Sequence, residues 1–238
     1  MNNTLTLNSR IIKEGKEADF VDSFLKTNDL FQDSNLDYMI LKEIITDGGI
    51  PDVLVVSWCK DVKIDWSEER SKLSKNDIKI LHFINSKKSK GITKKSIHRT
   101  LGFTVNQIEK STKRLINAEL ITLSENKVTS TRNNSNFFIN EIIAIEAKLK
   151  DWKIAIQQAN LNSNFSSKSY VLIPENVDQK ICTFNNQKLT GLITYNGEKA
   201  KIVKKAKKIK QPASYYSWII NEHIGQLING RKQKGNNH

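Results

Sequence analysis

Two groups of short, β-branched apolar runs are separated by a stretch of different character, and this interruption constrains the fold more than any other feature of the chain. "YMILKEIIT" (Tyr38 to Thr46) and "DVLVVSW" (Asp52 to Trp58) flank "DGGIP". The Asp-Gly-Gly turn and the branched residues predict two neighbouring strands joined as a hairpin. Much later, "EIIAIEAK" reads as a strand, "DWKIAIQQAN" as a helix capped by Asp151, and "SYVLIPE" and "TGLITYN" as further strands. Ahead of them all, "KEADFVDSFLK" places Phe20, Val21, Phe24 and Leu25 on one helical stripe, with Glu17 at its edge and Gly15 interrupting the chain before it. Set end to end without the interruption, the order is helix, strand, strand, strand, helix, strand, strand, the pattern of an α/β body.

The interrupting stretch is helical and basic. Ser74 is a good N-cap for "KNDIKILHFIN", with Asp77 three residues on and Ile78, Ile80, Leu81 and Ile84 behind it. "TKKSIHRTLG" predicts a short helix capped by Thr93 and stopped by Gly102; "TVNQIEKSTKRLINAEL" follows with Val105, Ile108, Thr112, Leu115 and Ile116 on one face. Two helices joined by a link as short as "GFT" are the helix-turn-helix arrangement. "LITLSENKVTSTR" then offers two strand-like runs around "SEN", so residues 74–132 resemble a winged helix-turn-helix in element order and helix spacing.

Charge sharpens this reading. Between Arg70 and Arg132 stand 15 Lys and Arg against 4 acids, an excess of 11 in a chain whose net charge is +13. Concentration of that kind points to a polyanion partner, the alternative being a solvated basic face. Candidate DNA contacts are Asn106, Gln107, Lys110, Ser111 and Arg114 on the second helix of the pair, which would enter the major groove, and Lys127 on the wing, which would meet the backbone. Near the C-terminus, "KAKIVKKAKKIK" carries 7 lysines in 12 residues, a solvated surface or a second place to meet phosphate, and "SYYSWIINEHIGQLI" predicts a final amphipathic helix.

Composition excludes several classes. With 238 residues, 38% hydrophobic and 26% charged, the chain is globular in composition and long enough for one or two domains. No apolar run approaches the roughly 20 residues that span a bilayer. The start "MNNTLTLNSR" lacks the apolar centre of a signal peptide, and Cys59 and Cys182 lack metal or redox spacing, so a cytoplasmic protein with reduced thiols is expected. Trp58 and Trp152 are expected to pack, and His82 and His98 to have no metal role.

Chemistry is suggested by one acid at the start of a strand and an acid and an amine on another. Asp52 follows Pro51; Glu146, Ala147 and Lys148 end the run "EIIAIEAK", and period-2 alternation would turn Glu146 and Lys148 to the same face. Two carboxylates on adjacent strands can hold a divalent cation, and a lysine can neutralise a phosphate; a turn acid and a surface ion pair are the plainer uses of the same residues. Pro51-Asp52 with Glu146-Ala147-Lys148, followed by a glutamine-bearing helix, resembles the PD-(D/E)XK nuclease superfamily.

That resemblance implies a restriction-endonuclease-like αβββαβ core with an inserted winged helix domain. The core would occupy residues 1–68 and 136–238, and the insert 69–135. Asp52, Glu146 and the Ala147 carbonyl would ligate Mg²⁺, or Mn²⁺ in its place, and Lys148 would stabilise the transition state. Glu17 would supply the first-helix acid, with Glu14 as alternative, and Gln157 or Gln158 the helix glutamine. The 94 positions between Asp52 and Glu146 exceed the short connection of a simple member, which an inserted domain would explain. The expected activity is metal-dependent cleavage of double-stranded DNA, in restriction or phage defence, by a homodimer or within a larger defence complex. The alternative is a DNA-binding regulator or architectural protein with an inactive nuclease-like fold; RNA ranks behind duplex DNA.

Overall fold

The computed structural model describes residues 7–9, 14–27, 29–31, 33–46, 49–62, 66–87, 91–131, 136–175 and 189–235, the last five without their side chains. Cys182 lies outside these residues, as do Lys88, Lys90 and Arg132 of the basic stretch. The fold is mixed α/β, with two sheets among the described residues. The chain divides into two units, one made of Leu7–Asp61 and Ile139–Ser217, the other of Val62–Phe138 and the chain from Trp218.

In the first unit, α1 (Lys16–Thr27) precedes β1 (Leu36–Lys42) and β2 (Val53–Cys59). These strands pair antiparallel with Lys42 opposite Val53. The first strand is shorter at its end than the sequence pattern suggests, because Glu43 takes a left-handed φ of 51° and turns the chain. The unit continues with β6 (Ile139–Ala147), α6 (Trp152–Asn162), β7 (Lys168–Pro174), β8 (Gly191–Tyr195) and β9 (Ala200–Lys204). The sheet runs β1-β2-β6-β7-β8-β9; β6, β7 and β8 are mutually parallel, and the outer pairings are antiparallel.

Alternation along these strands feeds two cores. Val53, Val55, Ile143, Ile145, Ala147, Tyr170, Leu172 and Ile193 join Val21 and Phe24 of α1 in one. Val171, Ile173 and Leu192 join Ala155, Ile156 and Ala159 of α6 in the other. Both faces of the central strands are thus covered, which is why those strands read as continuous apolar runs.

The second unit holds α2 (Glu68–Ser71), α3 (Lys75–Ser86), β3 (Ile92–Thr93), α4 (Lys94–Leu101), α5 (Val105–Asn117), β4 (Ile121–Ser124) and β5 (Lys127–Ser130). Its small sheet runs β3-β5-β4. Ser74 and Asp77 form a capping box on α3, Thr93 caps α4, and Gly102 ends α4 with a left-handed φ of 72°. Helices α3, α4 and α5 pack on one another over Ile78, Leu81, Ile97, Ile108 and Leu115, all buried. Glu125 and Asn126 join β4 to β5 with φ of 47° and 64°, the two positive values of a tight hairpin turn.

Two expectations fail locally. Asp151 makes no side-chain cap to α6. The last helix, α7 (Tyr215–Gly235), is buried at ten consecutive positions, Tyr216 to Gly225, so it is enclosed rather than amphipathic. Glu222, fully buried on α7, accepts from Arg70 Nε and Nη2, both at 2.9 Å, while the Arg70 guanidinium lies over the Trp66 ring at 3.6 Å.

Candidate functional site

The catalytic candidates fall near the end of β6, where neighbouring strands and α1 converge. Asp52 immediately precedes β2; its Oδ2 accepts from the Ala147 N–H at 2.8 Å. Glu146 is 1% exposed, and its Oε1 accepts from Asn162 Nδ2 of α6 at 2.6 Å. Lys148 donates from Nζ to Glu17 Oε2 of α1 at 2.9 Å. Burial by itself lowers the affinity of Lys148 for its proton, but the Glu17 hydrogen bond and the charges of Asp52, Glu17 and Glu146 outweigh it and hold the amine above the usual lysine value.

The expected common face is not formed. Ala147 belongs to the core shared with α1, so alternation directs Glu146 toward α6, where Asn162 binds it. The strand ends at Ala147, and Lys148 beyond it reaches Glu17 on α1 instead of continuing the alternation. Gln157 is exposed on α6, and Gln158 is half-buried. A pocket of about 30 Å³ beside Glu17 and Asp52 also takes in Lys42 and Glu43, and is of the size that holds a water.

This arrangement overturns the metal site. Among the described residues, no group of three or more His, Cys, Asp or Glu side chains could hold a metal ion. What the acids share is the ammonium of Lys148, while one oxygen of Asp52 accepts from the Ala147 amide and one of Glu146 from the Asn162 amide. Asp52, Glu146 and the Ala147 carbonyl are therefore no Mg²⁺ or Mn²⁺ ligand set. The expected Mg-dependent deoxyribonuclease activity, with its place in restriction or phage defence, falls with that site, and so does membership of the PD-(D/E)XK superfamily. Asn162 was the residue that sequence pattern missed: it lies 16 positions from Glu146, and no spacing rule joins a strand end to the far end of the next helix.

The nucleic-acid candidates lie on α5 and the β4–β5 turn. Asn106, Lys110 and Lys127 are exposed. Gln107 is exposed too, but its Oε1 accepts from the Thr104 N–H at 2.8 Å while its own N–H donates to Thr104 Oγ1, closing a capping box. Ser111 is buried on the inner face of the helix. Arg114 lies partly exposed and donates from Nε and Nη2 to the two oxygens of buried Asp77, at 2.8 and 2.7 Å. That contact, above all its hydrogen bonds, raises the already high pKa of the guanidinium.

Lys113 was not among the sequence candidates, although it continues the exposed line of Asn106 and Lys110 by helical spacing. Lys95 and Arg99 are likewise exposed on α4. The signal for them was present in the charge count, but the count does not say which side of a helix faces out. No helix among the described residues is long and apolar enough to cross a membrane. Compared with protein-family models, with curated proteins and with solved structures, the chain matches none.

Proposed function

We propose that this chain is a DNA-binding protein, a regulator or an architectural factor, that docks on duplex DNA through a winged helix-turn-helix formed by α3 to β5, while its six-stranded α/β unit is not catalytic. The observation that carries this reading is the exposed line Asn106, Lys110 and Lys113 on α5, within a stretch that holds most of the net charge of the chain. Helix α5 would lie in the major groove, and the β4–β5 turn with Lys127 would meet the backbone.

Specificity on this surface is expected to be low. The side chains suited to reading base edges are engaged within the fold, Gln107 by the cap and Arg114 by Asp77, which leaves Asn106 as the amide free to read an adenine edge. The lysines meet phosphates, and phosphate contacts position without specifying.

Fluorescence anisotropy with labelled duplex DNA, single-stranded DNA and RNA over a salt series tests the reading. Duplex DNA should bind most tightly, with affinity falling steeply as salt rises. Absence of binding at low salt, or a clear preference for RNA, would sink it.

A further inference from the structure

We propose that β9 and the extended segment after it, residues 205–210, form a second binding track for the phosphate backbone of nucleic acid. It lies on the six-stranded unit and is separate from α5 and the β4–β5 turn.

From Lys199 to Lys210 the chain carries seven lysines and no acid. The segment is held in place. β9 is the last strand of the sheet and pairs with β8; beyond it, the Lys207 N–H donates to the Leu189 carbonyl at 3.0 Å and the Ile209 N–H to the Ser167 carbonyl at 2.8 Å. Ala200, Ile202 and Ala206 pack against the core shared with α1, so the chain is anchored on its inner side.

Outward stand Lys201, Lys205, Lys207 and Lys210, all exposed, and none of them is paired with an acid among the described residues. Lys208 lies 3.6 Å from Glu141 and is not counted with them. An extended chain advances roughly 3.3 Å per residue, so Lys201 and Lys210 bracket roughly 30 Å of surface.

Lysines on an edge strand also block pairing with another sheet, and that is the competing use. Edge protection needs only a charge or two, and either sign serves. Four ammoniums fixed on one ordered segment with no acid among them repel one another, a cost that protection does not require and a polyanion removes. A membrane surface would call for apolar anchors beside the lysines. Val203, 55% exposed, is the large apolar side chain on this track, which favours nucleic acid.

The test replaces Lys201, Lys205, Lys207 and Lys210 together by Glu, which keeps the edge charged and inverts the track. Affinity for a labelled duplex should fall by about 10-fold or more, and the slope of log affinity against log salt should flatten by about 0.9 for each phosphate no longer neutralised. Thermal midpoint and monodispersity should hold. If the quadruple variant does not fold, Lys205→Gln with Lys207→Gln should give a smaller loss in the same direction. The same substitutions in a Lys110→Glu, Lys113→Glu background separate the two surfaces. Further weakening there supports the track. Unchanged affinity and slope in both backgrounds overturns it and leaves the α5 surface standing, whereas a wild-type chain that binds no nucleic acid overturns both. Loss of binding to phosphatidylserine vesicles with DNA binding intact assigns the track to a membrane and also overturns the proposal.

Discussion

Arg114 of α5 clasps Asp77 of α3 through two hydrogen bonds, at 2.8 and 2.7 Å, and the carboxylate it holds is fully buried. Asp77 also closes the capping box with Ser74 at the start of α3, so one side chain fixes both a helix start and the packing of two helices. An arginine on the helix proposed to enter the groove is thereby committed to the fold.

Asp77→Ala removes the carboxylate half of the capping box, leaving the Ser74 Oγ bond to the backbone N–H of residue 77 in place, and leaves a guanidinium that is 39% exposed without its carboxylate partner. Because water can reach that guanidinium, the cost is expected below the range for fully buried pairs, at about 1–3 kcal/mol. Urea denaturation measures it. Arg114→Ala should lose stability in the same way while leaving the ranking of DNA sequences unchanged, and a variant that reordered that ranking would show Arg114 to be a reader of bases.

Lys110→Ala, Lys113→Ala and Lys127→Ala should each weaken duplex binding by a similar factor on every sequence tried. Each should also reduce the salt slope by about 1, with stability within about 0.5 kcal/mol of the parent because the three side chains are exposed. Anisotropy titrations on several unrelated duplexes, beside thermal melts, check both halves. A loss confined to one sequence would contradict phosphate-dominated docking.

Glu146→Ala strips the acceptor from Asn162 Nδ2 in a site where Asn162 is 1% exposed, and an unsatisfied buried donor costs about 1–3 kcal/mol. DNA affinity should not change. Mg²⁺ and Mn²⁺ should leave the melting temperature of the parent where it was, since a ligand that binds the native state would raise stability by RT ln(1 + L/Kd) at free ligand concentration L. A rise with either metal that Glu146→Ala abolished would restore the ligand set.

Burial holds the imidazoles of His82 and His223 below the usual histidine value of 6.5. In the unfolded chain each takes up a proton near that value, in the folded chain only at lower pH, so between the two the unfolded state binds more protons. Their contribution to stability is therefore complete above about pH 6.5 and is lost as pH falls through the window beneath it. Denaturant midpoints should decline over that interval, and His82→Gln should reduce the decline. A midpoint that was flat or rising on acidification would contradict the assignment.

Local pattern reached far along this chain. Ser74, Thr93 and Gly102 bound their helices as their chemistry dictates, and the apolar runs at Val53–Cys59 and Ile139–Ala147 became neighbouring strands although the basic stretch stands between them. Such features depend on residues a few positions apart, or on apolar runs that can be satisfied only by burial on both faces. The lysine run from Lys199 hid a strand, because its inward residues Ala200 and Ile202 are legible only once β8 lies beside them. Asn221, Glu222 and His223 gave α7 a polar side in sequence, and the fold nonetheless buries it, with Arg70 supplying the charge partner from 152 positions away.

The sequence by itself determined the mixed α/β class, the caps, the strand-forming runs and the concentration of positive charge, since each follows from backbone preference, hydrophobic spacing or composition. Only the tertiary structure decided what the acids and the polar helix residues do. Glu146 finds Asn162, Lys148 finds Glu17 and Arg114 closes on Asp77. The physical reason is that a buried polar group must be satisfied by whatever the fold brings within about 3 Å, and that neighbour is chosen by packing in three dimensions rather than by distance along the chain.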